Sequence, residues 1–82
     1  MYDKKLRPQL LRIGMEIADI TVQELSYDTD ISTAVIYRCR STLNKQEASD
    51  GVWSVLFYAL EKRAPGTQRL LRVIEETKKH GK

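Results

Sequence analysis

The chain is poor in the residue types that most site chemistry needs. Its 82 residues include one cysteine and one histidine. A lone cysteine, Cys39, closes no internal disulfide, which fits a reducing compartment. Cys39 and His80 together make neither a metal-ligand set nor a nucleophile–base pair. Cys39 reads as a small core hydrophobe and His80 as a solvated tail residue. The four glycines are scattered and lack the spacing of a phosphate-cradling loop. Asp28 and Asp30 read as residues that cap or solvate a turn rather than as an acid/base pair. No catalytic residue, metal site, cofactor or small-molecule ligand is expected, and the chain does not read as an enzyme. Long apolar runs are also lacking: nothing approaches the ~20 residues of a membrane span. The N-terminus lacks the apolar core and cleavage site of a signal peptide, so the expected location is cytoplasmic.

What is present suits one small domain over residues 1–82. Hydrophobic residues make up 41% of the chain, enough for a modest core without metal or disulfide staples. Fourteen Lys and Arg against eleven Asp and Glu give a net charge of +3. The two signs balance over residues 1–48, and the basic excess lies in 49–82. A pI near 9.2 permits binding to nucleic acid without requiring it.

Hydrophobic periodicity predicts five helices and no strand. Leu6, Leu10, Ile13 and Ile17 recur at helical spacing and place a first helix near 5–18, with Gly14 allowing a close neighbour. The preceding Met1–Arg7, basic at Lys4, Lys5 and Arg7, is either a flexible arm or the helix's first turn. Thr21 followed by Glu24 is a capping box, flanked by Ile20 and Leu25 as a hydrophobic staple. This second helix runs to about 28–30. Ser32 offers the next N-cap, for a helix through Arg40 with Ile36 and Cys39 inward and Leu43 as its last core residue. Ser49 or Asp50 can cap a fourth helix near 51–63. Its apolar residues from Val52 to Leu60 cover more than one face, so it is either a central core helix or a self-association surface using Trp53, Phe57 and Tyr58. Pro65 or Thr67 opens a last helix near 66–79, where Glu75 and Lys79 are spaced as an i,i+4 pair.

The segment Asp19-Ile20-Thr21-Val22-Gln23-Glu24-Leu25-Ser26 resembles the G-L-T-Q-E-E-L-A phrase of the lambda-repressor/Cro-like helix-turn-helix family. Ile31-Ser32 falls where that family has V-S, and Ile36 lies at the buried position five residues on. The likeness covers about half the chain, and most of it if Leu6–Ile17 is the family's first helix. Ser26 stands for the usual Ala, Thr29 for a residue often apolar, and Asp30 for the usual turn Gly. Asp visits positive φ more readily than most residues. The resemblance implies an all-α, five-helix lambda-repressor-like domain with its helix-turn-helix at 21–42. It implies further a small phage or mobile-element transcriptional regulator, a repressor acting as a homodimer on a two-fold operator in double-stranded DNA.

A helix that reads the major groove needs polar and small side chains near its N-terminus. With Ile36 and Cys39 inward, Ser32, Thr33, Ala34, Tyr37, Arg38 and Ser41 lie nearer the outer face. Ser and Thr can bond phosphate or base, Ala34 can touch a thymine methyl, and Arg38 can bond guanine bidentately. Arg40 is a candidate phosphate contact. The resemblance adds the start of the second helix, Thr21, Val22 and above all Gln23, against the backbone. Glu24, Asp28 and Asp30 bring carboxylates near this face and repel phosphate unless turned away or paired with Arg38 or Arg40. They motivate a second expectation, a helical module of antitoxin or antirepressor type that binds a protein partner.

Overall fold

The computed structural model describes residues 2–42 and 48–80. Its elements are α1 (Arg7–Ala18), α2 (Val22–Thr29), α3 (Thr33–Arg40), α4 (Asp50–Arg63) and α5 (Thr67–His80), and no strand occurs among the described residues. The radius of gyration is 11.9 Å, close to the ~12 Å of a compact chain of this length. No described helix is long and apolar enough to cross a membrane. Leu43 and residues 44–47 of the 44–51 connection lie outside the described residues.

Several helix boundaries have a local chemical cause. Pro8 sits in the first turn of α1, where its missing N–H costs nothing. Asp19 ends that helix at φ 54°, and the Asp19 and Ile20 N–H groups donate back to Glu16 and Met15, a Schellman pairing usually built on Gly. The capping box of α2 is present: Glu24 N–H donates to Thr21 Oγ1 at 3.1 Å, and Thr21 N–H to Glu24 Oε1 at 2.9 Å. Its staple residues Ile20 and Leu25 are buried. Asp30 closes α2 at φ 60°, in the left-handed region that its short polar side chain tolerates. Ser32 caps α3 and Ser49 caps α4, each accepting an N–H three residues on.

The helices bury one continuous core. α1 packs on α3, α4 and α5, while α2 packs on α3 and α4. Leu10, Leu11, Leu25, Ile36, Leu56, Phe57, Leu60 and Leu71 are fully enclosed. A Cβ on Gly14 would lie 2.8 Å from a Leu60 methyl and 3.1 Å from a Leu71 methyl. The glycine thus lets α1 approach α4 and α5 closely.

Several expectations are corrected. The apolar face of α1 is rotated: Leu10, Leu11, Gly14 and Met15 are buried, Leu6 and Ile13 are half-buried, and Ile17 is exposed. The N-terminal segment is no loose arm. Tyr2 is buried edge-on to Phe57 at 4.7 Å, its hydroxyl donates to Gln68 Oε1 at 2.9 Å, and residues 4–6 form a turn into α1. Trp53 and Phe57, candidates for self-association, lie inside this same core; of that trio only Tyr58 is exposed. Val22, expected at the surface, is buried. Glu75 does not serve as an outward partner for Lys79. It turns inward and accepts the Asp3 N–H at 2.6 Å. Finally, α5 begins at Thr67. Pro65 therefore lies before the helix rather than at N1, and Thr67 is its first residue rather than its cap, with its hydroxyl donating to the Ala64 carbonyl. The Glu61 carboxylate reaches over from α4 and accepts the Gly66 and Gln68 N–H groups, both at 2.9 Å.

Candidate nucleic-acid interface

Asp30, Ile31 and Ser32 join α2 to α3, and hydroxyls pin this short turn from both sides. Ser26 donates to the Ile31 carbonyl at 2.5 Å. Thr29 donates to the Leu25 carbonyl at 2.7 Å, and its oxygen accepts the Ile31 N–H at 3.2 Å. Ser26 and Thr29, two of the departures from the family phrase, are therefore the residues that shape the turn. Beneath it Leu25, Ile36 and Cys39 are buried, and Ile31 is half-buried against the same core. Burial also pushes the Cys39 thiol up from its ordinary range, which keeps it a neutral packing group.

With Ile36 and Cys39 fixed inward, Ser32, Ala34, Tyr37 and Arg38 are exposed along α3, and Gln23 is exposed at the start of α2. Tyr37 keeps 53% of its surface accessible, enough to present its ring and hydroxyl to a ligand. Thr33 and Ser41 are half-buried; Ser41 ends α3, its N–H donating to the Arg38 carbonyl. Arg40 is also half-buried, and its Nε is enclosed without a hydrogen-bond partner among the described residues. The Arg12 guanidinium donates to the Arg40 carbonyl at 2.7 Å, placing a cation at the negative end of α3. Ser32, Ala34, Tyr37 and Arg38 are thus open to solvent along this unit, Thr33 and Ser41 are less so, and Arg40 is partly withdrawn.

Two of the three carboxylates, Asp28 and Glu24, find a different partner from the one expected, while Asp30 is exposed with no ion-pair partner among the described residues. Arg63, at the end of α4, bonds Asp28 at 2.8 Å and lies 3.9 Å from Glu24. The Arg63 hydrogen bond holds the Asp28 carboxyl below its usual range. Glu24 is likewise held low, chiefly by the Thr21 backbone N–H. Asp28 therefore stays ionised and tied to α4 rather than to Arg38 or Arg40.

Sequence reasoning missed the placement of Lys4 and Lys5. They border a cleft of about 360 Å³ whose other wall includes Val35, Arg38 and Ser41. The basic run in residues 1–7 was visible; its position beside α3 depends on Tyr2 entering the core, which periodicity does not encode. No protein-family model matches this chain, and no curated protein or solved structure is significantly similar to it.

Proposed function

We infer that this chain is a sequence-specific, double-stranded DNA-binding transcriptional regulator of helix-turn-helix type, working by occupancy as a repressor. The reading is supported above all by the α2–turn–α3 unit, whose outward α3 face carries Ser32, Ala34, Tyr37 and Arg38 while Asp28 and Glu24 are engaged with Arg63. Hydroxyls, a methyl and a guanidinium at the start and middle of one exposed helix suit readout of base edges in the major groove. Gln23 and Arg40 flank that helix as backbone contacts. One such helix spans few base pairs, so two copies on a two-fold operator supply the specificity. With Trp53 and Phe57 committed to the core, the surface for pairing has to use exposed residues, of which Tyr58 is one.

The test is binding to random-sequence duplex at two salt concentrations, followed by selection from a random pool. Affinity that falls steeply with salt and an enriched two-fold motif are the expected results. Arg38→Ala should then weaken the selected site by roughly 1–3 kcal/mol and relax preference at one base position. Unchanged affinity and preference would remove Arg38 as a reader.

A second reading, a protein-binding module, is supported by exposed Val55 and Tyr58 beside a groove of about 410 Å³ that reaches Asp28 and Lys62. It is favoured if duplex binding is absent at low salt and a stable hetero-complex is recovered instead.

A further inference from the structure

The cleft between the segment entering α1 and the C-terminal half of α3 has a distinct chemistry. Its described lining includes Lys4, Lys5, Arg7 and Arg38 and no carboxylate. Arg7 is already engaged, bonding the Tyr2 carbonyl and Asp50, each at 3.0 Å. Lys4, Lys5 and Arg38 are exposed, and none has an ion-pair partner among the described residues. Apolar Val35, Cys39 and Trp53 form part of the wall. A concavity with one sign of charge over a low-dielectric wall focuses its field and draws counter-ions.

The lysines also stand on an anchored backbone. Tyr2 is held in the core, Arg7 ties the segment to α4, and the Lys5 N–H donates to Asp3 Oδ1 at 2.8 Å. This separates them from Lys78 and Lys79, which are exposed in the last turn of α5. Two lysines and an arginine lining one cleft from two chain segments suit a compact, multiply charged oxyanion with several acceptor oxygens. We propose that this cleft binds a phosphate group, supplied by the backbone of the duplex whose bases face α3. The proposal rests on the DNA-binding reading for the source of the phosphate, and on the cleft alone for the chemistry. It assigns Lys4 and Lys5 to positioning the protein on DNA and leaves base choice to α3.

Two measurements on the full chain test it. In the first, inorganic pyrophosphate is titrated while backbone amide resonances are followed. Shifts at Lys4, Lys5, Arg38 and Ser41 are expected, and they should vanish in Lys4→Ala/Lys5→Ala, whose exposed side chains can be removed without opening the core. In the second, duplex binding is compared across salt for the wild type, Lys4→Ala/Lys5→Ala and a control of equal charge, Lys78→Ala/Lys79→Ala. The first variant should lose affinity about ten-fold or more at low salt and flatten the salt slope by about one per lysine, with sequence preference unchanged. The control should keep the wild-type slope. Equal flattening in both variants would reduce the effect to net charge and overturn the site. Duplex binding that ignores Lys4 and Lys5 would also overturn it while leaving the DNA reading intact. Pyrophosphate shifts without any duplex binding would keep a phosphate site and remove DNA as its source.

Discussion

Between Thr21 and Val35 the cap and hydroxyl hydrogen bonds that shape the chain join residues two to five positions apart. Arg63 adds the one long-range polar tie described there, to Asp28 and Glu24. Residues 2–7 also carry local bonds, but what ties them to the body of the protein are partners at separations of 43, 66 and 72. Hydroxyl caps and a left-handed Asp30 decide the conformation of the α2–α3 hairpin, but that hairpin buries few side chains of its own: Val22 and Leu25 from α2, Ile36 and Cys39 from α3. Short-range bonds of this kind set geometry and each contribute on the order of 1 kcal/mol. Stability has to come from the core that α1, α4 and α5 supply, and the N-terminal segment closes that core. The proposed reading surface is thus shaped locally and supported remotely.

The sharpest way to break this contrast is at Tyr2. Its ring is 2% exposed and packs edge-on to Phe57, with the Arg72 guanidinium 5.5 Å from its centroid. Tyr2→Ala should destabilise the fold by about 3 kcal/mol, in the range for buried aromatic truncations, as read from urea unfolding. Against a total on the order of 5–10 kcal/mol for a domain of this size, that is a large share. Tyr2→Phe, which keeps the ring and loses the bond to Gln68, should cost about 1 kcal/mol. A Tyr2→Ala protein as stable as wild type would mean that the segment is a passenger, and the anchoring of Lys4 and Lys5 would go with it.

A smaller effect of opposite sign is expected inside the hairpin. Asp30 holds φ 60° and ψ 25°, where a Cβ is unfavourable and glycine is at ease. Asp30→Gly should raise stability by up to about 1 kcal/mol, reduced by the extra freedom of glycine in the unfolded chain. The urea midpoint should move up with an unchanged slope. A loss instead would show that the Asp30 carboxylate, close to the start of α3, contributes more than its backbone strain removes.

The same division explains what could be read without a structure. The capping box, the Ser32 and Ser49 caps, the tolerance of Asp30 for positive φ and the inward Leu25, Ile36 and Cys39 are all encoded within a few residues, and they were legible. The face of α1 was misplaced because its spacing admits two stripes, and only the partners α4 and α5 select Leu10, Leu11 and Met15 over Ile17. The apolar excess of α4 had two explanations in sequence. It needed the position of Tyr2 to resolve it, since the ring that covers Phe57 comes from the other end of the chain. The pairing of Asp28 with Arg63 was invisible for the same reason, being a contact across 35 positions. Of the candidate interface, the composition of the α3 face was legible, whereas the cleft that Lys4 and Lys5 share with Arg38 was not.

Glu61 stands between the two regimes, since it caps α5 across a turn, five and seven residues ahead, and its contribution should be visible through pH alone. The Gly66 and Gln68 N–H groups bond the ionised form and hold this carboxyl below its unfolded value of 4.5, the Gly66 bond contributing most. A lowered folded pKa means that the unfolded chain binds the proton more readily. The stabilisation is therefore complete above the unfolded value and is lost as pH falls through the lower folded one. Glu24 and Asp28 shift in the same direction, so an acid-induced loss in the wild type does not isolate Glu61. The pH dependence of the difference between wild type and Glu61→Gln does, because glutamine removes the titration while keeping one of the two acceptor oxygens that the Gly66 and Gln68 N–H groups use. That difference should be constant above about pH 5.5 and shrink steadily towards pH 3, as read from paired urea curves. A difference that stays constant over the whole range would mean that the shape of the side chain, rather than its charge, starts α5. The cap would then belong with the neutral hydroxyl devices of the hairpin.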